Sequence, residues 1–420
     1  MILVKKAHIL NTDSKFHGET MDILIHKGLI KEIAPEIKKE EAEIIELENL
    51  HLSAGWMDSS VSFGTPGFEE RQSIENGIDT AAKSGFTSVL LNPNNNPNPE
   101  NAAGIRSLIS LYKNKKVDIY PVGNLTLNQN GEHLAELFDM HTAGAISFYD
   151  FKKGIKNSNL LKIALQYSSG FNGLIQSYPE DYRIAGTGMV NEDAQTIHLG
   201  LKSKPALAES LQVARDIEIS RYTNTKIHFP TINTIESLEL IKKAKSEGLP
   251  ISCSIAAHHL ILNSNVLDTF NQNYKLQPPL RDAATVKKIK PYLLDRTIDM
   301  VTSDHIPLNI EHKDVEFDQA TYGSIGLESC FGILNEVVDK ERAVDLLTGA
   351  YSVFNIDKPQ VEIGEKAKFT LFDPTINYRF TESDIISKSK NAAAMGLTLK
   401  GKVYGIINGS TTQITHSFEG

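Results

Sequence analysis

The chain has 420 residues, with 43 lysines and arginines against 52 aspartates and glutamates, and its formal net charge is −9. This acidic balance, without a basic cluster, argues against nucleic acid and anionic membranes as partners. The two cysteines, Cys253 and Cys330, lack metal-type spacing, no apolar run reaches the length of a membrane span, and the amino terminus lacks a signal-peptide pattern. We therefore expect a reduced, cytoplasmic protein.

The pattern of apolar and polar residues divides the chain into three stretches. Residues 1–54 alternate apolar and polar residues in short runs, which predicts a small antiparallel β unit. Over residues 55–352, six or more short apolar strands alternate with helical stretches, which predicts an α/β fold of the (βα)8 TIM-barrel type. Residues 353–420 return to short strands. We expect the two chain ends to join in one small β-sandwich beside the barrel.

The first barrel strand ends in an unusual polar segment. We predict a strand from Leu52 to Met57, followed by Asp58, then Ser60 and Ser62, and then a turn at Pro66-Gly67. Barrel enzymes place their catalytic residues in the loops at this end of the strands. Serine hydroxyls are poor ligands for zinc, which prefers thiolate, imidazole or carboxylate. The residues alone therefore argue against a catalytic metal site.

Several short motifs follow one another along the chain. They are Asp58 with Pro66-Gly67, Asn92-Pro93-Asn94, Gly144-Ala145, Pro205 with Ala208-Glu209, His258-His259-Leu260, Pro278-Pro279-Leu280-Arg281, Asp304-His305 with Pro307, Tyr322-Gly323 and Gly326-Leu327-Glu328. In this order and spacing they resemble the amidohydrolase superfamily. Within it they resemble the dihydroorotases of multifunctional or aspartate carbamoyltransferase-associated complexes, and the resemblance covers nearly the whole chain.

The resemblance implies a site with two metal ions held by four histidines, a bridging lysine carbamate or aspartate, and an aspartate after the last strand. Positions where it implies histidine hold other residues: Ser60, Ser62, Ser177 and Thr231. Asp304 matches the aspartate implied after the last strand, and its implied role is metal ligand and general base. Asp150 is the candidate for the bridging position.

The implied substrate contacts are also changed. Gly64 lies where the family pattern supplies an arginine that would clamp a carboxylate, and Leu308 lies where a histidine is expected. Gln277 replaces an asparagine. Of the implied substrate-binding residues only Asn94 is retained.

These losses favour a catalytically inactive dihydroorotase homologue of pyrimidine biosynthesis, a pseudoenzyme without a cofactor. By resemblance it would form homo-oligomers and be a non-catalytic partner of aspartate carbamoyltransferase. The alternative is an active dihydroorotase or related cyclic amide hydrolase with a rebuilt zinc site, which interconverts dihydroorotate and N-carbamoyl-aspartate.

Two further alternatives remain open. Asp304 with His228 or His305 would form a mononuclear site, although three ligands are normally required. A metal-free ligand sensor would use Asn94 and Arg281. We expect the adjacent His258 and His259 to be packed structural residues that point to opposite faces of a strand, and Tyr149 and Phe151 to fill space where ions and waters would lie.

Overall fold

The structure is a computed structural model that describes residues 1–415, so the last five residues of the predicted 353–420 stretch lie outside it. The strands in this range are β1 (Ile2–Ile9), β2 (Thr20–His26), β3 (Leu29–Ala34), β4 (Glu43–Ile45), β5 (His51–Ala54), β6 (Trp56–Val61), β7 (Phe86–Leu91), β8 (Asp118–Pro121), β9 (Ile175–Gln176), β10 (Val190–Asn191), β11 (Ser203–Lys204), β12 (Ile227–Phe229), β13 (Ile251–Ala256), β14 (Met300–Thr302), β15 (Lys368–Arg379), β16 (Thr398–Asn408) and β17 (Thr411–Ile414).

The helices surround and connect these strands. In the described residues they are α1 (Ile74–Lys83), α2 (Ala102–Tyr112), α3 (Leu137–Thr142), α4 (Ser158–Ser169), α5 (Tyr182–Ala185), α6 (Leu207–Thr223), α7 (Ile235–Ser246), α8 (Ala283–Leu294), α9 (Leu327–Val337) and α10 (Lys340–Val353). Most of them begin at a capping side chain; in α1, for example, the Ser73 side chain accepts from the Asn76 amide. Helices α3, α6 and α9 begin without such a cap. None of the described helices combines the length and apolar content that would let a helix cross a membrane.

Parallel strands form a closed ring. Strands β6, β7 and β8 pair in sequence, and β9, β12, β13 and β14 form a second run. Phe148 bridges the two runs, because it pairs with Gly123 beyond β8 and with Ile175 in β9. On the other side Val61 pairs with His305 beyond β14. These eight positions close the predicted (βα)8 barrel, so the predicted fold class is confirmed.

Strands from both chain ends form one further sheet. Its order is β17-β16-β15-β5-β1-β2-β3, with β4 paired to β1. Strand β15 pairs antiparallel with β5 from Phe369↔Ala54 to Phe372↔His51, which brings the carboxyl end of the chain beside the start of the barrel. The predicted joining of the two ends is therefore confirmed. The exact boundaries at residues 54 and 352 stay predictions.

The sheet and the barrel meet at Trp56, which is fully buried. Its ring centroid lies 4.8 Å from that of Phe331 in α9 and 5.3 Å from that of Phe372 in β15. The predicted strand from Leu52 to Met57 is in fact two strands, β5 in the end sheet and β6 in the barrel, separated at Gly55. Because β6 runs to Val61, Ser60 lies inside the barrel wall and not in a loop.

Candidate functional site

Ser60 and Ser62 lie buried at the carboxyl end of β6, 7% and 3% exposed. The Ser60 hydroxyl donates to Asp304 Oδ1 at 3.1 Å. Asn92 Nδ2, beyond the end of β7, donates to Ser60 Oγ at 3.3 Å and to Ser62 Oγ at 3.1 Å. These hydroxyls therefore bond to neighbouring side chains, and none of them offers the imidazole, thiolate or carboxylate ligand that zinc prefers.

Lys152 supplies the positive charge of the site. It lies in the loop that precedes α4, and its Nζ is 2.9 Å from Asp304 Oδ2 and 2.7 Å from the Gln277 carbonyl oxygen. The Lys152 and Asp304 side chains are only 8% and 4% exposed. The Tyr149 hydroxyl accepts the Lys152 backbone N–H at 3.0 Å. The result is a buried ion pair at the carboxyl end of the barrel.

Apolar rings surround this ion pair. The Lys152 Nζ lies 5.7 Å from the ring centroid of Tyr178 and 5.9 Å from that of Phe151, both within cation–π range. The Tyr149 and Phe151 rings contact each other edge to face at 5.8 Å, and Tyr149 belongs to a buried apolar cluster. The two rings therefore pack beside the ion pair, while their filling of space where ions and waters would lie stays a prediction.

The donor set does not fit a pair of divalent metal ions. Lys152 places an ammonium against the same Asp304 carboxylate that would have to bind the metal, and like charges in a buried position repel strongly. Within residues 1–415 no group of three or more histidine, cysteine, aspartate or glutamate side chains is arranged to hold a metal ion. The chemistry of the residues present is that of a structural ion pair.

Ser177 and Thr231 contact other parts of the barrel. The Ser177 hydroxyl donates to Asp216 Oδ2 at 2.6 Å, and Asp216, in α6, is fully buried. Arg215 Nε also donates to Asp216, at 2.8 Å. The Thr231 amide donates to Ser254 Oγ at 3.2 Å, while its own buried hydroxyl has no partner in the described part of the chain.

Asp150, the candidate for the bridging position, holds a loop. Its carboxylate accepts from the Leu125 and Thr126 amides at 3.1 and 2.9 Å, and from the Thr126 hydroxyl. Burial raises the pKa of Asp150, and the hydrogen bonds from Thr126 oppose this rise. Asn94 lies half-buried in the loop after β7, and its Oδ1 has no partner among the described residues. Their assignment to metal and substrate stays a prediction.

The two histidines considered for a mononuclear site have both ring nitrogens in other contacts. Those of His305 lie 3.1 Å from Gln72 Oε1 and 3.2 Å from the Gly326 amide. Those of His228 lie 2.9 and 3.2 Å from the hydroxyls of Ser252 and Ser254. The Asp304 carboxylate instead bonds to Ser60 and Lys152, so these contacts do not support that site.

His258 and His259 differ from our prediction in one respect. Strand β13 ends at Ala256, and the two histidines lie on a 3-10 turn, Ala257–Leu260, with ring centroids 4.4 Å apart. Our prediction that they point to opposite faces of a strand is therefore wrong. His259 Nε2 lies 3.0 Å from the Pro278 carbonyl oxygen. Burial lowers the pKa of His258 to about 4.

We expect His228 to make the protein sensitive to mild acid. Burial, and secondarily the charge of Lys245, lowers the pKa of His228 to about 3. The folded-state pKa is then below the unfolded value of about 6.5. As pH falls the unfolded chain binds the proton first, so stability is lost below pH ~6.5. The contribution of one such histidine is about 2 kcal/mol between pH ~7 and ~5. Urea unfolding at both pH values should show a smaller loss for His228→Gln than for the unchanged protein, and an equal loss would contradict this.

Residues 51–237 match a family model described as dihydro-orotase-like. A dihydroorotase of Ruminiclostridium cellulolyticum is 34% identical over 418 residues, covering 98% of this chain and 97% of the relative. A dihydroorotase of Acetivibrio thermocellus is 33% identical over 423 residues, covering 97% and 98%. The L-hydantoinase of Arthrobacter aurescens has a similar fold, with a TM-score of 0.87 at 19% identity over 99% of this chain and 96% of its own. The chain therefore belongs to the dihydroorotase family.

Proposed function

We propose that this chain is a non-catalytic member of the dihydroorotase family, retained in pyrimidine biosynthesis as a folded partner of aspartate carbamoyltransferase. The observation that carries the first part is the buried ion pair between Lys152 and Asp304. In an active enzyme of this type, the metal ions lower the pKa of a bound water and an aspartate moves its proton. Here that aspartate is neutralised by the Lys152 ammonium and accepts from the Ser60 hydroxyl.

The missing carboxylate clamp supports the same proposal. Gly64 lies where the resemblance implies an arginine, and the backbone around it is closed. A Cβ atom added to Gly64 would lie 2.0 Å from the Phe68 carbonyl oxygen and 2.6 Å from that of Gln72. An arginine could not enter this position without moving the loop. The position has therefore lost both the guanidinium and the room for its side chain.

Metal content and turnover test this proposal together. We expect protein produced in zinc-supplemented medium and then desalted to hold less than about 0.1 zinc per chain, since a retained catalytic zinc needs three protein ligands. We expect no dihydroorotate turnover above the rate without protein. An active relative with its histidines in place, prepared in parallel, controls for metal loss. One to two zinc ions per chain together with turnover would overturn the proposal.

The second candidate is an active dihydroorotase with a rebuilt site. The observation that favours it is the identity of 34% to a protein named dihydroorotase. Asp304→Ala separates the two candidates. If turnover is present, an enzyme that uses Asp304 loses it in this variant, whereas the non-catalytic protein has no turnover to lose and changes only in stability.

The proposed partner rests on the family resemblance and on the intact fold. The barrel ring is closed, and the Lys152–Asp304 ion pair lies at the carboxyl end of its strands. A role in assembly needs only this folded barrel. We expect aspartate carbamoyltransferase from the same source to co-elute with this chain in size-exclusion chromatography, and to lose thermal stability when the chain is omitted. An unrelated protein of similar mass and charge serves as control. A transferase that assembles and works equally well alone would contradict the role.

A further inference from the structure

A cavity lies beside the loops that follow β6 and β14, and the Lys152–Asp304 pair is not part of its lining. Its volume is about 290 Å³. The lining comes from the loops after β6 and β14, from the 3-10 turn Gln272–Tyr274, and from the segment before β16. It includes Glu70, Asn273, Asn309, Lys313, Lys388 and Lys390. Neither Asp304, Lys152, Ser60 nor Ser62 is part of this lining.

Lys313 is the buried cation of the cavity. It is only 4% exposed. Its Nζ donates to the Gln272 carbonyl oxygen at 2.7 Å, and in the described part of the chain it forms no ion pair with a carboxylate. Buried lysines are almost always paired with an opposite charge. This one faces a cavity and lacks its counter-charge.

The electrostatic setting of Lys313 agrees with a missing counter-charge. Burial, and secondarily the charge of Lys275, lowers the pKa of Lys313 to about 7. Lys275 is itself buried, and its Nζ donates to the Asp318 carbonyl oxygen at 2.8 Å. The two lysine side chains thus lie near each other, and both Nζ atoms donate to main-chain carbonyl oxygens.

Two further lysines add charge at the rim of the cavity. Lys388 Nζ donates to the Glu69 carbonyl oxygen at 3.3 Å, and Lys390 Nζ donates to the Ile385 carbonyl oxygen at 3.0 Å. The lining has one acidic residue, Glu70, whose Oε1 lies 3.5 Å from Arg71 Nε. The cavity therefore carries an excess of positive charge.

We propose that this cavity binds a small oxyanion with two negative charges, a phosphate group or a dicarboxylate. Lys313 is the buried donor, and Lys388 and Lys390 close the site from the solvent side. Charge-assisted hydrogen bonds from ammonium to oxyanion are among the stronger polar contacts in proteins. The side-chain amides of Asn273 and Asn309, which have no hydrogen-bond partner among residues 1–415, add neutral donors. This site is independent of the function proposed for the chain.

Isothermal titration calorimetry of the full chain tests the proposal. Inorganic phosphate and succinate are titrated separately, each against sodium chloride at equal ionic strength. We expect saturable binding of at least one of them, and which one binds identifies the anion. Lys313→Met should weaken that binding about tenfold or more, because it removes a charged hydrogen bond. Lys287→Gln, which removes an exposed positive charge on α8, should leave the affinity unchanged.

Lys390→Gln keeps the test decisive if Lys313→Met does not fold, because Lys390 is exposed. It should weaken binding roughly two- to fivefold, the effect of one solvent-exposed charge. The proposal is overturned if neither anion binds more tightly than chloride. It is equally overturned if the affinity is the same in Lys313→Met, or in Lys390→Gln when the first variant is unfolded.

Discussion

Replacing Lys152 by methionine is expected to lower the free energy of unfolding by about 3–5 kcal/mol. The methionine keeps most of the side-chain volume but removes the ammonium. The Asp304 carboxylate, with a side chain only 4% exposed, then keeps the Ser60 hydroxyl as donor but has no positive partner. An uncompensated buried charge is among the most destabilising single changes in a protein. Urea unfolding at neutral pH measures the loss.

The double variant Lys152→Met with Asp304→Leu is the matched control. Removing both charges leaves no buried ion, so we expect it to recover most of the stability that the single variant loses. Lys38→Met provides a second control, because Lys38 pairs with Glu36 while both are largely exposed, 86% and 67%. We expect no measurable change there. A Lys152→Met protein as stable as the unchanged chain would show that the ion pair is unimportant.

Much of the fold follows from local patterns in the sequence. Apolar strands that alternate with helical stretches predict the barrel, and period-two runs at both ends predict the extra sheet. At position 148 local sequence patterns no longer predict the structure. Phe148 completes the ring through single bridges to Gly123 and Ile175 and not through a strand, and such pairing depends on the neighbouring strands. The strand break at Gly55 was missed because the stretch from Leu52 to Met57 is largely apolar and contains no turn signal other than Gly55 itself.

The candidate site was harder to predict because its contacts are far apart in sequence. The positions of Ser60, Ser62, Ser177 and Thr231 could be read from motif order, but their partners could not. Lys152 was missed altogether: its pair with Asp304 spans 152 residues, and it stands in a Lys-Lys sequence that is typical of an exposed loop. The only local signal was a basic residue close to Asp150. For Asp150 itself, motif order gave the position, whereas its bonds to Leu125 and Thr126 depend on a neighbouring loop.

Arg281 lies in a second buried network, and Arg281→Met is expected to lower the free energy of unfolding by about 3 kcal/mol. Its Nε donates to Asn233 Oδ1 at 2.8 Å, its Nη1 to Asn191 Oδ1 at 2.6 Å, and its Nη2 to Glu209 Oε2 at 3.3 Å. Arg281 and Glu209 are 4% and 3% exposed. This loss is at the lower end of the range of about 3–5 kcal/mol for breaking a buried ion pair. The reason is that Glu209 keeps hydrogen bonds from Thr234.

These contacts also separate a structural role for Arg281 from a role in ligand sensing. Each of its three guanidinium nitrogens already donates to a protein acceptor, so the guanidinium is held by protein contacts. The double variant Arg281→Met with Glu209→Gln should be more stable than Arg281→Met alone, because it removes the unpaired carboxylate. Arg106→Met, at an exposed position of α2, should have no measurable effect. If Arg281→Met instead unfolded at the same urea concentration as the unchanged protein, yet lost a thermal stabilisation by pyrimidine intermediates, Arg281 would be a ligand contact and not a structural one.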